Sequence, residues 1–232
     1  SDFLASAKLT ATYKDIDTAD HIVLISFEPE DESPIVFLRI YKQVYKRSIK
    51  VTNIAPLASR GSEKLKANLI KTTAGDEVQA ISNISGLTSK SVILVGERIS
   101  ETEGGLSAVL KLVENSGAKL GWIPRRAGER GAISAGAIPN LLPGNRPITD
   151  SAARVDIATA WSVDSISNEP GMNTDEMINS DLQALVIGGV DPMDISADAK
   201  IKLSKKFIVS LEIRQSDITD IAAVVLPVAA VV

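Results

Sequence analysis

Ligands of open α/β sheets gather past the carboxyl ends of the strands, so the residues that follow short apolar runs are the first to weigh for chemistry. Three such turns stand out: Ser26-Phe27-Glu28-Pro29, Gly96-Glu97-Arg98 and Gly188-Gly189-Val190-Asp191-Pro192. Backbone N–H groups and helix N-termini at turns of this kind hold phosphate, and spaced glycines let the backbone come close to it. Only the third turn has paired glycines, and it lacks the spacing of a dinucleotide fingerprint. The first places Glu28 ahead of Glu30, Asp31 and Glu32, a negative field that repels phosphate. Acids also favour helix starts whatever the function, which gives the same residues a purely structural role.

The best anion site on offer is the loop Trp122-Ile123-Pro124-Arg125-Arg126-Ala127-Gly128-Glu129-Arg130-Gly131. Arginine forks grip phosphate or carboxylate bidentately. Equally, Arg125, Arg126 and Arg130 can pair with Glu129 and nearby acids to stiffen a long loop, or form a partner-binding surface. His21, beside Asp20 and just ahead of an apolar run, has no second histidine for company and reads as a strand-edge residue rather than a base. Trp122 and Trp161 read as core or loop anchors, and Glu101 with Glu103 as a solvated helix start.

Composition narrows the chemistry further. The 232 residues include no cysteine and one histidine, which excludes disulfides, thiolate nucleophiles, cysteine-ligated clusters and histidine cages within this stretch. A net charge of −4 without a basic run removes the electrostatic attraction behind nucleic-acid and anionic-membrane binding. No apolar stretch reaches the roughly 20 residues that span a bilayer, so no direct membrane insertion is expected and a cytosolic chain is. The chain starts at Ser1 and stops just after Val224-Val225-Leu226-Pro227-Val228, and is expected to be a piece of something longer.

The elements that must position these turns follow from periodicity. Apolar, β-branched runs at 22–26, 50–54, 91–95, 185–187 and 207–211 predict buried parallel strands, with 119–123 and 224–226 as further members. Between them, Val36, Ile40 and Val44 recur every four residues from Pro34 to Lys46, with Phe37 and Tyr41 beside them. Leu106, Val109, Leu110 and Val113 form a second stripe, with Ser100 as the expected cap and Gly117 as the stop. Strand, helix, strand recurs over 22–54, 91–123 and 185–211, which dictates right-handed parallel crossovers. The expectation is a three-layer, doubly wound, mostly parallel Rossmann-like α/β fold, with one unit at 1–75 and another at 76–232. The second unit carries a Gly/Pro/Arg-rich loop over 123–149.

In combination these segments resemble the molybdopterin oxidoreductase superfamily, its domains II and III in particular. Ala19 to Pro29, Glu32-Ser33-Pro34-Ile35 and Val51 to Pro56 are similar to its strand, G-x-N-P turn, helix and strand ending D-P. Gly136 to Gly144 is similar to its P-N-L-L-P-G loop, Gly189-Val190-Asp191-Pro192 to its second G-x-N-P, and Ala222 to Pro227 to its A-D-V-V-L-P. Within the superfamily, 30–39, 122–136 and 207–214 most resemble the large iron–sulfur subunits of bacterial NADH:quinone oxidoreductase (complex I), in their actinobacterial form.

That resemblance carries implications. Molybdenum members hold a guanine-dinucleotide pterin with turn asparagines, the acid of D-P and polar residues in the arginine-glycine loop. Here Glu28, Asp191, Ala55 and Ala132-Ile133-Ser134 stand in those places, and Ala223 replaces the A-D-V-V-L-P acid. Each missing partner costs about 1–3 kcal/mol of affinity, so no cofactor is expected in this stretch, with Glu28, Ala55, Arg130 and Asp191 as vestigial pterin positions. Iron–sulfur clusters are expected in a region of the parent preceding Ser1. The resemblance further implies a non-catalytic structural domain in a complex that moves electrons from NADH to quinone, with other peripheral-arm subunits as partners, on the cytoplasmic face of the membrane. The rival readings are a divergent molybdenum or tungsten oxidoreductase such as a formate dehydrogenase, and the central domain of a thiamine-diphosphate enzyme, which 91–98 also resembles. A nucleotide of unknown type at Gly188-Gly189 or the arginine loop is a fourth, for which no tight binding is expected.

Overall fold

The computed structural model describes residues 9–126 and 128–230. They fall into two compact units, the first spanning 1–137 and 141–166, the second 138–140 and 167–232.

The first unit is built on five parallel strands, β1 (His21–Ile25), β2 (Lys50–Ala55), β3 (Asn68–Lys71), β4 (Val92–Gly96) and β5 (Lys119–Ile123), in the order β3-β2-β1-β4-β5. The central strand β1 is buried along its whole length and alternates between two cores. Ile22 and Leu24 pack with Val36, Phe37, Ile40 and Val44 of the helix Pro34–Arg47, while Val23 and Ile25 pack with Val109 and Leu112 of the helix Gly105–Ser116. Helices thus cover both faces, the condition under which a parallel sheet reads as continuous apolar runs. The doubly wound α/β fold expected from the sequence is present.

Local chemistry explains the element ends. Pro34 occupies the first helical position, where its missing N–H costs nothing, and Ser48 closes the same helix in a left-handed conformation. The helix over Gly105–Ser116 departs from expectation at its start. Ser100 does not cap it but lies in a separate 3₁₀ turn, Glu97–Glu101, and Gly104 is the N-cap. The buried stripe is Gly105, Ala108, Val109 and Leu112, with Leu106, Leu110 and Val113 half-buried at its margins.

The boundary expected at residue 75 does not divide the chain, because β3 and β4 on either side of it belong to one sheet. Gly75-Asp76 has the composition of a linker, whereas the β1–β4 pairing that holds the halves together is long-range and leaves no local mark. The segment 123–149, which reads as loop, contains the short helix Glu129–Ser134 and a two-residue ladder between β6 (Leu141–Leu142) and β7 (Arg146–Pro147). The second unit holds a parallel sheet of three strands, β8 (Ala184–Gly188), β9 (Phe207–Glu212) and β10 (Val224–Pro227), in the order β10-β9-β8. One of its faces is packed by Ile178, Ala199, Leu203, Ile208 and Ile218.

Candidate functional site

Strands β1 and β4 are neighbours, and the connections from their carboxyl ends run in opposite directions, to β2 and to β5, which marks the place where α/β sheets hold ligands. The chain leaves β1 through Ser26, whose φ of +48° bends it sharply, and buries Phe27 beneath the turn. A Cβ on Gly96 would lie 2.3 Å from the Ser26 carbonyl oxygen, so the turn is folded directly onto the end of β4. Gly96 therefore serves close packing of two backbones, not phosphate approach. Glu28 follows as the N-cap of the short helix Pro29–Glu32 and accepts a hydrogen bond from the Glu30 N–H at 3.3 Å.

What stays open is a cleft of about 600 Å³ on the β2 side of that turn. Its lining includes Ser26, Phe27 and Glu28 from the turn, residues 53–57 at the end of β2, and Glu77, Arg98, Glu101 and Thr102 from later segments. Glu28 and Ala55, two of the positions singled out in the sequence, meet here. Asn53, Glu77 and Thr102 join them unannounced, and Glu101, which reads in the sequence as a solvated helix start, lines the same space. An asparagine inside an apolar strand, Val51-Thr52-Asn53-Ile54, is the one signal of this in the sequence. Glu77 is 8% exposed, and its Oε2 accepts hydrogen bonds from the Gly75 N–H at 2.8 Å and the Thr102 hydroxyl at 2.7 Å. Asn53 is 3% exposed and its amide oxygen has no hydrogen-bond partner. The guanidinium of Arg98 pairs with Glu32. The lining therefore carries three carboxylates, Glu28, Glu77 and Glu101, against one guanidinium already paired.

The remaining candidates lie elsewhere. Arg126 pairs with Glu129, and the Arg125 N–H donates to the Glu97 carboxylate at 2.8 Å, so the arginine loop is tied to the end of β4. The hydrogen bond that Glu129 donates to Glu97, together with burial, raises the Glu129 carboxyl above its usual value, as two acids sharing one proton require. Arg130 lines a different depression with Ser33, Trp122 and Pro124. His21 sits at the opposite, amino end of the central strand, 5% exposed, with Nε2 2.8 Å from the Thr52 hydroxyl. It is the first residue of β1, at the strand's end as expected but on the central strand of the sheet, and the length of β1 separates it from the cleft. Burial, together with repulsion from Lys50, holds its pKa below 6.5. Trp122 packs at the margin of the first core, but Trp161 is exposed and anchors nothing.

In the second unit, Gly189 has φ +65° and Asp191 accepts a hydrogen bond from the Met193 N–H at 3.1 Å, capping the following 3₁₀ turn. Asp191 shares a shallow depression with Asp194, Glu212 and Arg214, again more acidic than basic. No group of three or more histidine, cysteine or carboxylate side chains that could hold a metal is present among the described residues. No helix among them is long and apolar enough to cross a membrane.

The model of the molybdopterin oxidoreductase family matches residues 1–232. The chain belongs to that family. Among characterised members it is 41% identical to the G subunit of the NADH-quinone oxidoreductase of Mycobacterium bovis over a 247-residue alignment, which covers 99% of this chain and 31% of that protein. The corresponding protein of Streptomyces coelicolor is 39% identical over 242 residues, covering 95% of the chain and 29% of the relative. A more distant molybdopterin oxidoreductase, formate dehydrogenase H of Escherichia coli, is 28% identical over 120 residues, 49% of the chain and 16% of its own length. The chain thus spans about a third of the length of its NADH-quinone oxidoreductase relatives. Glu28 and Ala55 share one cleft, Asp191 caps the turn that follows β8, and Arg130 faces a different depression.

Proposed function

We propose that this chain is a region of the large iron–sulfur subunit of an NADH:quinone oxidoreductase, in which a pterin-oxidoreductase scaffold persists as structural and packing surface. The complex transfers electrons from NADH to quinone; this region carries none of them. Its partners are other subunits of the peripheral arm, and its place is the cytoplasmic face of the membrane, reached through the complex. The clusters sit in another part of the parent chain.

The observation that carries this reading is the charge of the cleft. A guanine-dinucleotide pterin brings a pyrophosphate, which three carboxylates repel, and the lining's guanidinium is held by Glu32. The methyl side chain of Ala55 offers no hydrogen bond where the resemblance implies an acid. The residues present do not fit the pterin, and no redox step passes through it. The likeness to NADH-quinone oxidoreductase across nearly the whole chain supports the same assignment over a formate dehydrogenase, whose match covers half of it.

The test is calorimetric titration of the chain with guanosine diphosphate and with the pterin guanine dinucleotide, alongside molybdenum and tungsten analysis of the intact parent protein. No saturable heat and no stoichiometric metal are expected. Tight binding of the dinucleotide, or one molybdenum per chain, sinks the reading.

A further inference from the structure

Two buried groups in the cleft have hydrogen-bonding capacity that the protein itself does not use. Asn53 is 3% exposed, lines the cleft, and has an amide oxygen with no partner, a loss that a native core tolerates when a ligand restores it. Glu77, 8% exposed, makes two hydrogen bonds through Oε2 but pairs with no cation among the described residues. Glu28 and Glu101 add negative charge on other sides of the same space. An occupant must bring positive charge and several hydrogen-bond donors.

We propose that this cleft binds a guanidinium group. This inference rests on the reading that the cleft no longer serves the family's cofactor. A small metal ion suits the space less well, because among the described residues no three histidine, cysteine or carboxylate side chains come together to hold one. The acceptors are instead spread around a space of about 600 Å³, which suits a planar cation with five donors rather than a compact one with three. The end of β2 supplies apolar surface from Ile54, Ala55 and Pro56, against which a weakly hydrated guanidinium packs more readily than an ammonium. Leu57, 64% exposed at the rim, offers further apolar contact to whatever carries the group.

The carrier is either a free guanidino compound or an arginine side chain of a polypeptide, and calorimetry with two probes separates them. The intact chain is titrated with agmatine and with a blocked tripeptide bearing a central arginine, using putrescine and the corresponding lysine tripeptide as charge-matched controls. Saturable binding of at least one guanidino probe is expected, with its ammonium control about tenfold weaker, the difference that one or two charge-assisted contacts make. Agmatine alone assigns a free ligand, and the arginine peptide assigns a polypeptide. Glu101→Gln, at an exposed position that leaves the fold intact, weakens binding by about tenfold. Asn53→Leu abolishes it while leaving the thermal midpoint unchanged or higher, since an orphaned amide is removed. Silence toward both guanidino probes, equal binding of the ammonium controls, or undiminished binding in both variants overturns the proposal. Guanosine diphosphate competing with agmatine would instead overturn the emptied-cofactor reading beneath it.

Discussion

A single methyl group tests how the first turn is built. The Cβ of Gly96→Ala would lie 2.3 Å from a backbone carbonyl oxygen that has no flexible side chain to yield, so the turn or the strand end must move. Overpacking of this kind costs about 1–3 kcal/mol, and the urea midpoint should fall accordingly. His21 tests a different property. Folding holds its pKa below 6.5, chiefly through burial, so the unfolded chain binds the proton more readily than the native one. Its contribution is complete above pH 6.5 and is lost as the pH drops through and below that value. The urea midpoint of the protein should fall between about pH 7 and pH 5, and His21→Gln, neutral and able to bond Thr52, should flatten that fall. Asp15 operates in a separate window: its hydrogen bonds from Lys119 and Thr12 hold it at about 2 against 3.8, so its contribution is present above pH 3.8 and disappears as pH falls toward 2. Asp15→Asn should leave the His21 window untouched and reduce the loss below about pH 4. Apart from the local Thr12–Asp15 cap, these contacts are not legible in the sequence, where Gly96 has the look of a phosphate turn, because each is set by a neighbour from a distant part of the chain.

Elements are far more legible than contacts. Seven strands expected from apolar runs are present at nearly their expected bounds; in the first unit this is because strands such as β1 and β4, buried on both faces, write continuous β-branched sequence. The edge strand Asn68–Lys71 escapes the pattern for the same reason reversed. It is four residues long, only half-buried, and begins and ends in polar side chains. The helix Pro34–Arg47 is readable from its four-residue spacing, and that spacing makes a quantitative expectation. Ile40 is fully buried in the core beneath this helix, whereas Leu38 is 57% exposed. Ile40→Ala should therefore cost about 2–5 kcal/mol through lost burial and a residual cavity. Leu38→Ala should change stability by less than about 0.5 kcal/mol. Denaturant titration of both variants measures the contrast, and equal losses would contradict the placement of this helix. The candidate cleft shows the limit of such reasoning. Glu28 and Ala55 stand out in the sequence by the strand-end turns they occupy, but Glu77 and Thr102 reach the same space only through the fold.

At the scale of the whole molecule the two units differ in how much core they have. The first packs both faces of a five-stranded sheet, with more than twenty buried apolar residues in its two clusters. The second holds one cluster of five buried residues, Ile178, Ala199, Leu203, Ile208 and Ile218, and its strands expose Val186, Phe207, Val224 and Val225. Stability tracks buried apolar surface, so the second unit should yield first to denaturant. The chain carries its own reporters for the distinction. Both tryptophans, Trp122 and Trp161, lie in the first unit, while helices and strands of both units contribute to far-ultraviolet circular dichroism. In a urea titration the dichroism signal should therefore begin to fall at lower denaturant than tryptophan fluorescence, and the two curves should not superimpose. Ile208→Ala, at the centre of the smaller core, should move the early part of the dichroism curve to still lower urea and leave the fluorescence midpoint in place. Coincident curves in the unmodified chain, or a fluorescence midpoint that follows Ile208→Ala, would mean that the two units unfold as one cooperative body.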